Sequence, residues 1–270
     1  MNFSIEANQA IEWTARLAAV YVLLDSAEKL YNFREFADDG ILSWKFLRRH
    51  LFFSSRTSVL QNLFNLVFAF RIWLFLLFLR GVSGFYLLLF PQLNLTSFLC
   101  LGVLFAVGSL ANLRNFPVGA ETENRFSLII IGALLLQSLN PTKFVSESAL
   151  WFIALQACLS YTAAGFSKLF SSEWRKGNAL FNSFNSPVLT ASPKFAELLS
   201  RHEPAGKFLT WFNLIVECLF PLVLLVGSPF YIFFLIWGIV FHFSNAVLFR
   251  LNKFLWAWAA AYPAIIFAAQ

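Results

Sequence analysis

Residues 208–226 read FLTWFNLIVECLFPLVLLV, an apolar run broken only by Thr210, Asn213 and, near its centre, Glu217. A helix needs about 20 mostly apolar residues to cross the hydrocarbon of a bilayer, and this run comes close to that length with one carboxylate at its middle. Similar runs lie on either side. Reading outward gives eight predicted transmembrane helices at 11–31, 60–79, 95–112, 126–140, 148–169, 208–226, 229–249 and 254–269. A further apolar stretch at 82–91, after Gly81 and running through Gly84, is too short to cross and reads as re-entrant or interfacial. Composition agrees: 59% of residues are hydrophobic and only 13% charged, with 35 Phe and 9 Trp. Soluble domains carry roughly twice that charge, so lipid must form part of the solvent. The expected fold is an all-α integral membrane protein, a polytopic bundle of about eight helices forming one domain over residues 1–270.

Charge placement gives this bundle an orientation. Of the basic residues outside the predicted helices, those at 34–56, Arg114, Arg125, those at 175–207, Arg250 and Lys253 fall on one face; Arg80 and Lys143 fall on the other. Basic loops face the cytoplasm, so both termini are expected outside, with the chain in a bacterial inner (cytoplasmic) membrane. The start, MNFSIEANQAIEW, has acidic residues and no basic stretch before an apolar core, unlike a cleavable signal peptide. LSWKFLRRHLFFSS (42–55) and the proline-punctuated 183–207 read as interfacial segments on the cytoplasmic side. The +6 net charge serves topology, and no nucleic-acid partner is expected; membrane lipids are the expected surroundings. Cys100, Cys158 and Cys218 lie singly in apolar runs and read as small hydrophobic residues, and no metal site is expected.

Ionisable groups at membrane depth are costly and need a partner or a task. On the first helix Asp25 and Lys29 are four residues apart and can pair. Arg71 is expected to face the bundle. Glu217 has no basic neighbour on its own helix and should meet a cation from another, such as Arg16 or Arg71. His242 and Asn245 share one face of the seventh helix. Lys168 closes the fifth in SYTAAGFSKLFSSEW, and two readings stand open for it. The lysine either snorkels to the interface or, where Ala163, Ala164 and Gly165 let a neighbour approach, is buried and able to act as a base.

Four stretches also resemble, in order, the horizontally transferred transmembrane (HTTM) family, which includes the membrane domain of vitamin K-dependent γ-carboxylase. They are FADDGILSW (36–44), YTAAGFSKLFSSEWRKGNAL (161–180), WFNLIVECLFPLVLL (211–225) and FHFSNAVLF (241–249). The resemblance implies that Lys168 is the catalytic base, with His242 and Asn245 orienting it or a bound quinone. Glu217, Trp174 and Arg71 are the expected substrate contacts. The implied cofactor or substrate is a reduced quinone, and a membrane or secreted protein that the chain modifies or helps mature is the implied partner. Three features are read as departures from the carboxylase: no extramembrane domain is expected after residue 270, Thr122-Glu123-Asn124-Arg125 stands where it has Asn-Asn-His, and charge bias is expected to place the Lys168 end in the cytoplasm. Two functions therefore remain: a membrane enzyme working through Lys168, and a non-catalytic membrane subunit that anchors a partner complex.

Overall fold

The computed structural model describes residues 5–50, 58–92, 94–116, 121–185, 197, 201–227 and 229–270. Among these, every regular element is helical: α1 (Ala7–Tyr31), α2 (Trp44–Leu47), α3 (Ser58–Val67), α4 (Phe70–Leu89), α5 (Leu95–Asn115), α6 (Thr122–Leu139), α7 (Lys143–Phe170), α8 (Ser172–Arg175), α9 (Ala179–Asn185), α10 (Glu203–Leu219), α11 (Phe230–Phe249), α12 (Asn252–Ala259) and α13 (Tyr262–Ala268), with 3-10 turns at Phe33–Phe36, Arg48–His50 and Phe220–Leu224. The chain divides into two compact units, one of Ile11–Ser146 and one of Met1–Ala10 with Glu147–Gln270.

Among the described residues, five segments are long and apolar enough to cross a membrane: Phe70–Leu89, Leu95–Asn115, Lys143–Phe170, Glu203–Leu224 and Phe230–Phe249. Their polarity is inverted relative to a water-soluble helix. On α4 the exposed side carries Phe75, Phe78 and Phe85, each more than half exposed, while Arg80, Ser83 and Gly84 are buried. On α11 Phe233, Ile236 and Phe243 face outward and Trp237, Gly238 and His242 face inward. Water would not tolerate apolar patches of this extent, whereas lipid solvates them without cost. Helices of this length and outward apolarity suit a membrane.

The Ile11–Ser146 unit departs most from the sequence reading. The predicted helix at 60–79 does not exist as one piece, because α3 ends at Val67 and α4 restarts at Phe70. Between them Ala69 is extended, with ψ 137°, and Phe68 turns inward to pack with Phe36, Trp73, Leu77 and Ala111. Its ring lies 4.4 Å from that of Trp44 and 5.5 Å from that of Trp73. The 82–91 stretch is consequently no re-entrant loop: its residues 82–89 are the second half of α4, which continues through Gly81 and Gly84 and ends at Leu89. Arg80, expected in an outer loop, is buried within that helix, and Arg114, expected in a loop, is buried in the last turn of α5. Arg114 donates to the Leu42 carbonyl at 2.7 Å and lies over the rings of Phe36 and Trp73. Helix α5 starts where Asn94 accepts from the Ser97 N–H at 2.9 Å, a side-chain N-cap. Most of the predicted interfacial segment 42–55 resolves into α2 and a 3-10 turn, while 51–55 lies outside the described residues.

In the other unit, α10 gives way to 3-10 geometry at Phe220, next to Pro221, whose ring and missing N–H oppose continuation of an α-helix. The last predicted helix, 254–269, is likewise two helices, α12 and α13, parted at Ala260 and Ala261 ahead of Pro263. Helix α11 closes on Arg250 in the left-handed conformation, φ 60°, whose N–H bonds to the Asn245 carbonyl. Of the predicted interfacial segment 183–207, residues 186–196 and 198–200 lie outside the described residues.

Candidate functional site

The site grows from one stripe of α7. Tyr161, Gly165 and Lys168 are spaced i, i+4 and i+7, so they share a face. Gly165 sets the approach of α10: a Cβ there would lie 2.8 Å from both the backbone N and Sγ of Cys218. Only a residue without a side chain admits the neighbouring backbone this closely. One turn further along α7, the Lys168 ammonium then reaches Glu217 of α10, donating to Oε1 at 2.5 Å and to Oε2 at 2.6 Å. The cation that Glu217 needs is thus Lys168, not Arg16 or Arg71. The Glu217 side chain is 2% exposed and that of Lys168 is 21% exposed, so the carboxylate is sealed while the lysine side chain is partly exposed.

Aromatic rings wall that amine. Trp174 of α8 presents its face 4.7 Å from Nζ, and Phe241 of α11 lies 5.6 Å away. Trp174 is held there because the segment after α7 folds back on α10, where the Thr210 hydroxyl donates to the Gly177 carbonyl at 3.2 Å. A lysine between a buried carboxylate and two aromatic faces is neither a free surface cation nor one whose head group extends fully into water.

His242, on α11, is 3% exposed and is tied to the same α7 stripe: its Nε2 lies 2.7 Å from the Tyr161 hydroxyl. That hydroxyl is 3.3 Å from the hydroxyl of Tyr262 on α13. The structure therefore joins Lys168, Glu217 and Trp174 in one cluster and hangs His242 from the same helix. Asn245 is half-buried near the end of α11, where its carbonyl accepts from the N–H of Arg250 and of Leu251. Arg71 is exposed in the first turn of α4, contrary to the expectation that it faces the bundle.

Tyr161 and Tyr262 escaped the sequence reading. Tyr161 carried a usable signal, being two turns before Lys168 on one stripe. Tyr262 carried none, since it reaches the site through the break between α12 and α13. Among the described residues no cluster of three or more His, Cys, Asp or Glu could hold a metal ion. No protein-family model, curated protein or solved structure matches the chain.

Proposed function

We propose that this chain is a multi-pass bacterial inner-membrane protein of the HTTM type, in which Lys168 serves as a base toward a lipid-soluble acid. The observation that carries this reading is the Lys168–Glu217 pair, a carboxylate-bound amine on a partly exposed side chain beside the rings of Trp174 and Phe241. The family itself rests on the sequence resemblance. Three of the four stretches that resemble it touch one another: Lys168 of 161–180 pairs with Glu217 of 211–225, and Tyr161 of 161–180 bonds His242 of 241–249.

The chemistry follows from the pair. In apolar surroundings separated charges lose their hydration, so passage of a proton along the Nζ–H···O bond to Glu217 yields a neutral amine, whose lone pair faces Glu217 until rotation about the Cε–Nζ bond turns it toward a substrate. Glu217 is then the store for that proton, and Trp174 and Phe241 keep water from reclaiming it. The flat faces of Trp174 and Phe241 beside the amine suit a planar ring, so the residues present fit a reduced quinone, with Trp174 and Phe241 holding it and Lys168 facing its hydroxyl. Such a molecule supplies an acidic O–H and the electrons for reaction with oxygen. Modification or maturation of a peptide partner is the use the family resemblance points to.

The topology proposed with this reading has eight crossings, α1, α6 and the α12–α13 pair joining the five apolar segments, with both termini outside. The burial of Arg80 supports it, because it removes one of only two basic residues counted against the positive-inside assignment. A single new cysteine near residue 190 in a Cys-free variant should resist a membrane-impermeant thiol reagent in intact cells; labelling there reverses the orientation.

Oxygen uptake by the purified protein supplied with a reduced benzoquinone or naphthoquinone tests the base. Wild type should consume oxygen, and Lys168→Arg should be as inactive as Lys168→Ala, because a guanidinium does not give up its proton at physiological pH. An active Lys168→Arg ends the base reading. Uptake no greater than that of the Lys168→Ala variant leaves the chain a non-catalytic subunit that anchors a partner complex.

A further inference from the structure

His242 is held by a chain of hydroxyls. The Tyr161 hydroxyl stands 2.7 Å from Nε2 and 3.3 Å from the Tyr262 hydroxyl. The three side chains come from α7, α11 and α13, and all are nearly sealed from solvent. Tyr161 is clamped by stacking on Phe220, with ring centroids 3.9 Å apart, and by Trp237 at 5.8 Å. His242 is flanked by Phe241 at 5.0 Å and Trp258 at 5.1 Å. Gly238, one turn before His242, has a Cα against these hydroxyls: an added Cβ would collide with the Tyr262 hydroxyl and lie 3.2 Å from that of Tyr161. The backbone of α11 has been kept bare at the point where the chain of hydroxyls passes.

Each of the three groups brings one hydrogen, and the two bonds of the chain use two of them. Hydroxyl donors make bonds near 2.7–2.8 Å, whereas N–H donors to oxygen centre near 2.9–3.0 Å. A 2.7 Å contact falls within the range of either donor, but only the arrangement with Tyr161 donating to Nε2 and Tyr262 donating to Tyr161 uses both hydroxyl hydrogens inside the chain. His242 then carries its own proton on Nδ1, and that nitrogen is buried with no hydrogen-bond partner. A buried donor left unsatisfied bears its full desolvation cost, and native structures rarely keep one without a use.

We infer that Tyr161 is a positioning residue, which with Tyr262 fixes His242 as the Nδ1–H tautomer so that Nδ1 donates to an oxygen acceptor of the bound ligand, a carbonyl or a phenolate. The ligand half of this inference rests on the proposed base function; the tautomer half does not. Lys168 lies two turns from Tyr161 on the same stripe, so the ligand would meet the amine at one end and the imidazole at the other. Tyr161→Phe removes the hydroxyl and leaves the ring that stacks on Phe220, and Tyr262→Phe provides a second variant of the same kind.

Nitrogen-15 NMR of histidine-labelled protein tests it, in a His50→Gln, His202→Gln background where His242 is the only signal. The expected spectrum is a single Nδ1–H tautomer that becomes a mixture in Tyr161→Phe and shifts less in Tyr262→Phe. An Nε2–H tautomer, or a tautomer unmoved by Tyr161→Phe, overturns the positioning role. A short-chain benzoquinone added to the labelled protein should move the Nδ1 resonance, and less so in Tyr161→Phe; no movement overturns the ligand half. Failure of the base reading shows separately, as an active Lys168→Arg in oxygen uptake with the His242 spectrum unchanged.

Discussion

Two polar clusters lie inside this apolar chain, one in each compact unit, and they solve the problem of buried charge differently. In the Ile11–Ser146 unit, Asp25 takes both of its oxygens to Lys29 Nζ at 2.8 Å and also receives Arg80. Lys29 continues to Glu121 at 3.0 Å, and Arg80 continues to Asn124, which Tyr21 also contacts. Two cations meet two carboxylates, and Asp25, Lys29 and Arg80 are all buried. The Lys168–Glu217 pair has one cation and one carboxylate. The network is sealed at Asp25 and Arg80 and reaches outward at Glu121, whose side chain is 24% exposed, whereas in the pair the partly exposed member is the lysine, at 21%. The two clusters therefore differ in which charge stands at the edge, a carboxylate in one and an amine in the other.

The largest effect should come from breaking the network. Arg80→Met leaves Asp25 short of a partner in an apolar core, and removal of one member of a buried pair costs about 3–5 kcal/mol. The purified protein should melt well below wild type in detergent. Pairing that change with Asp25→Asn should recover part of the loss, because the unmatched charge is gone. A wild-type melting curve for Arg80→Met would remove the structural role assigned to the network.

The pair should be less costly to break. Glu217→Ala removes charged hydrogen bonds, worth about 1.5–3 kcal/mol, and the exposed side of Lys168 lets solvent recover some of that. Glu217→Gln keeps the shape and one acceptor and should lose less. If Glu217→Ala melts as low as Arg80→Met, the pair is as sealed as the network and the contrast between them fails.

The sequence reading foresaw parts of this picture for physical reasons. The all-helical architecture was legible because apolar length alone reports it. The Asp25–Lys29 pair was legible because i, i+4 partners are local. Glu217 was recognised as needing a distant cation, but the partner could not be chosen, since the choice depends on how closely α7 and α10 approach at Gly165. The break between α3 and α4 was invisible. Phe68 and Phe70 are equally apolar, and only the core of Trp73, Leu77 and Ala111 decides which of them turns inward. Arg80 was misplaced for the same reason: two glycines after it looked like a loop and proved to be a helix.

A third measurement sharpens the role of helix approach. Gly165→Ala places a Cβ against the Cys218 backbone, and such overpacking costs about 1–3 kcal/mol. Its more telling consequence is geometric. Forcing α7 from α10 lengthens the reach from Lys168 to Glu217, so Gly165→Ala should reduce oxygen uptake more than its melting temperature implies. Uptake that falls only in step with stability would mean that the approach at Gly165 serves packing alone.

The smallest effect is expected at Arg71, and its contrast with Arg80 explains why. Both arginines belong to α4, nine positions apart, and at about 3.6 residues per turn that spacing puts them on opposite sides of the helix. Arg80 faces inward and finds Asp25; Arg71, in the first turn, faces outward among Ile72 and Phe75 and is exposed. Its charge needs no protein partner where it can reach headgroups or water. Arg71→Ala should therefore change stability by less than about 0.5 kcal/mol, as surface substitutions usually do, and leave oxygen uptake untouched. A loss of uptake with stability unchanged would restore Arg71 as a substrate contact. It would also show that the outward face of α4 takes part in function, which its burial pattern does not suggest.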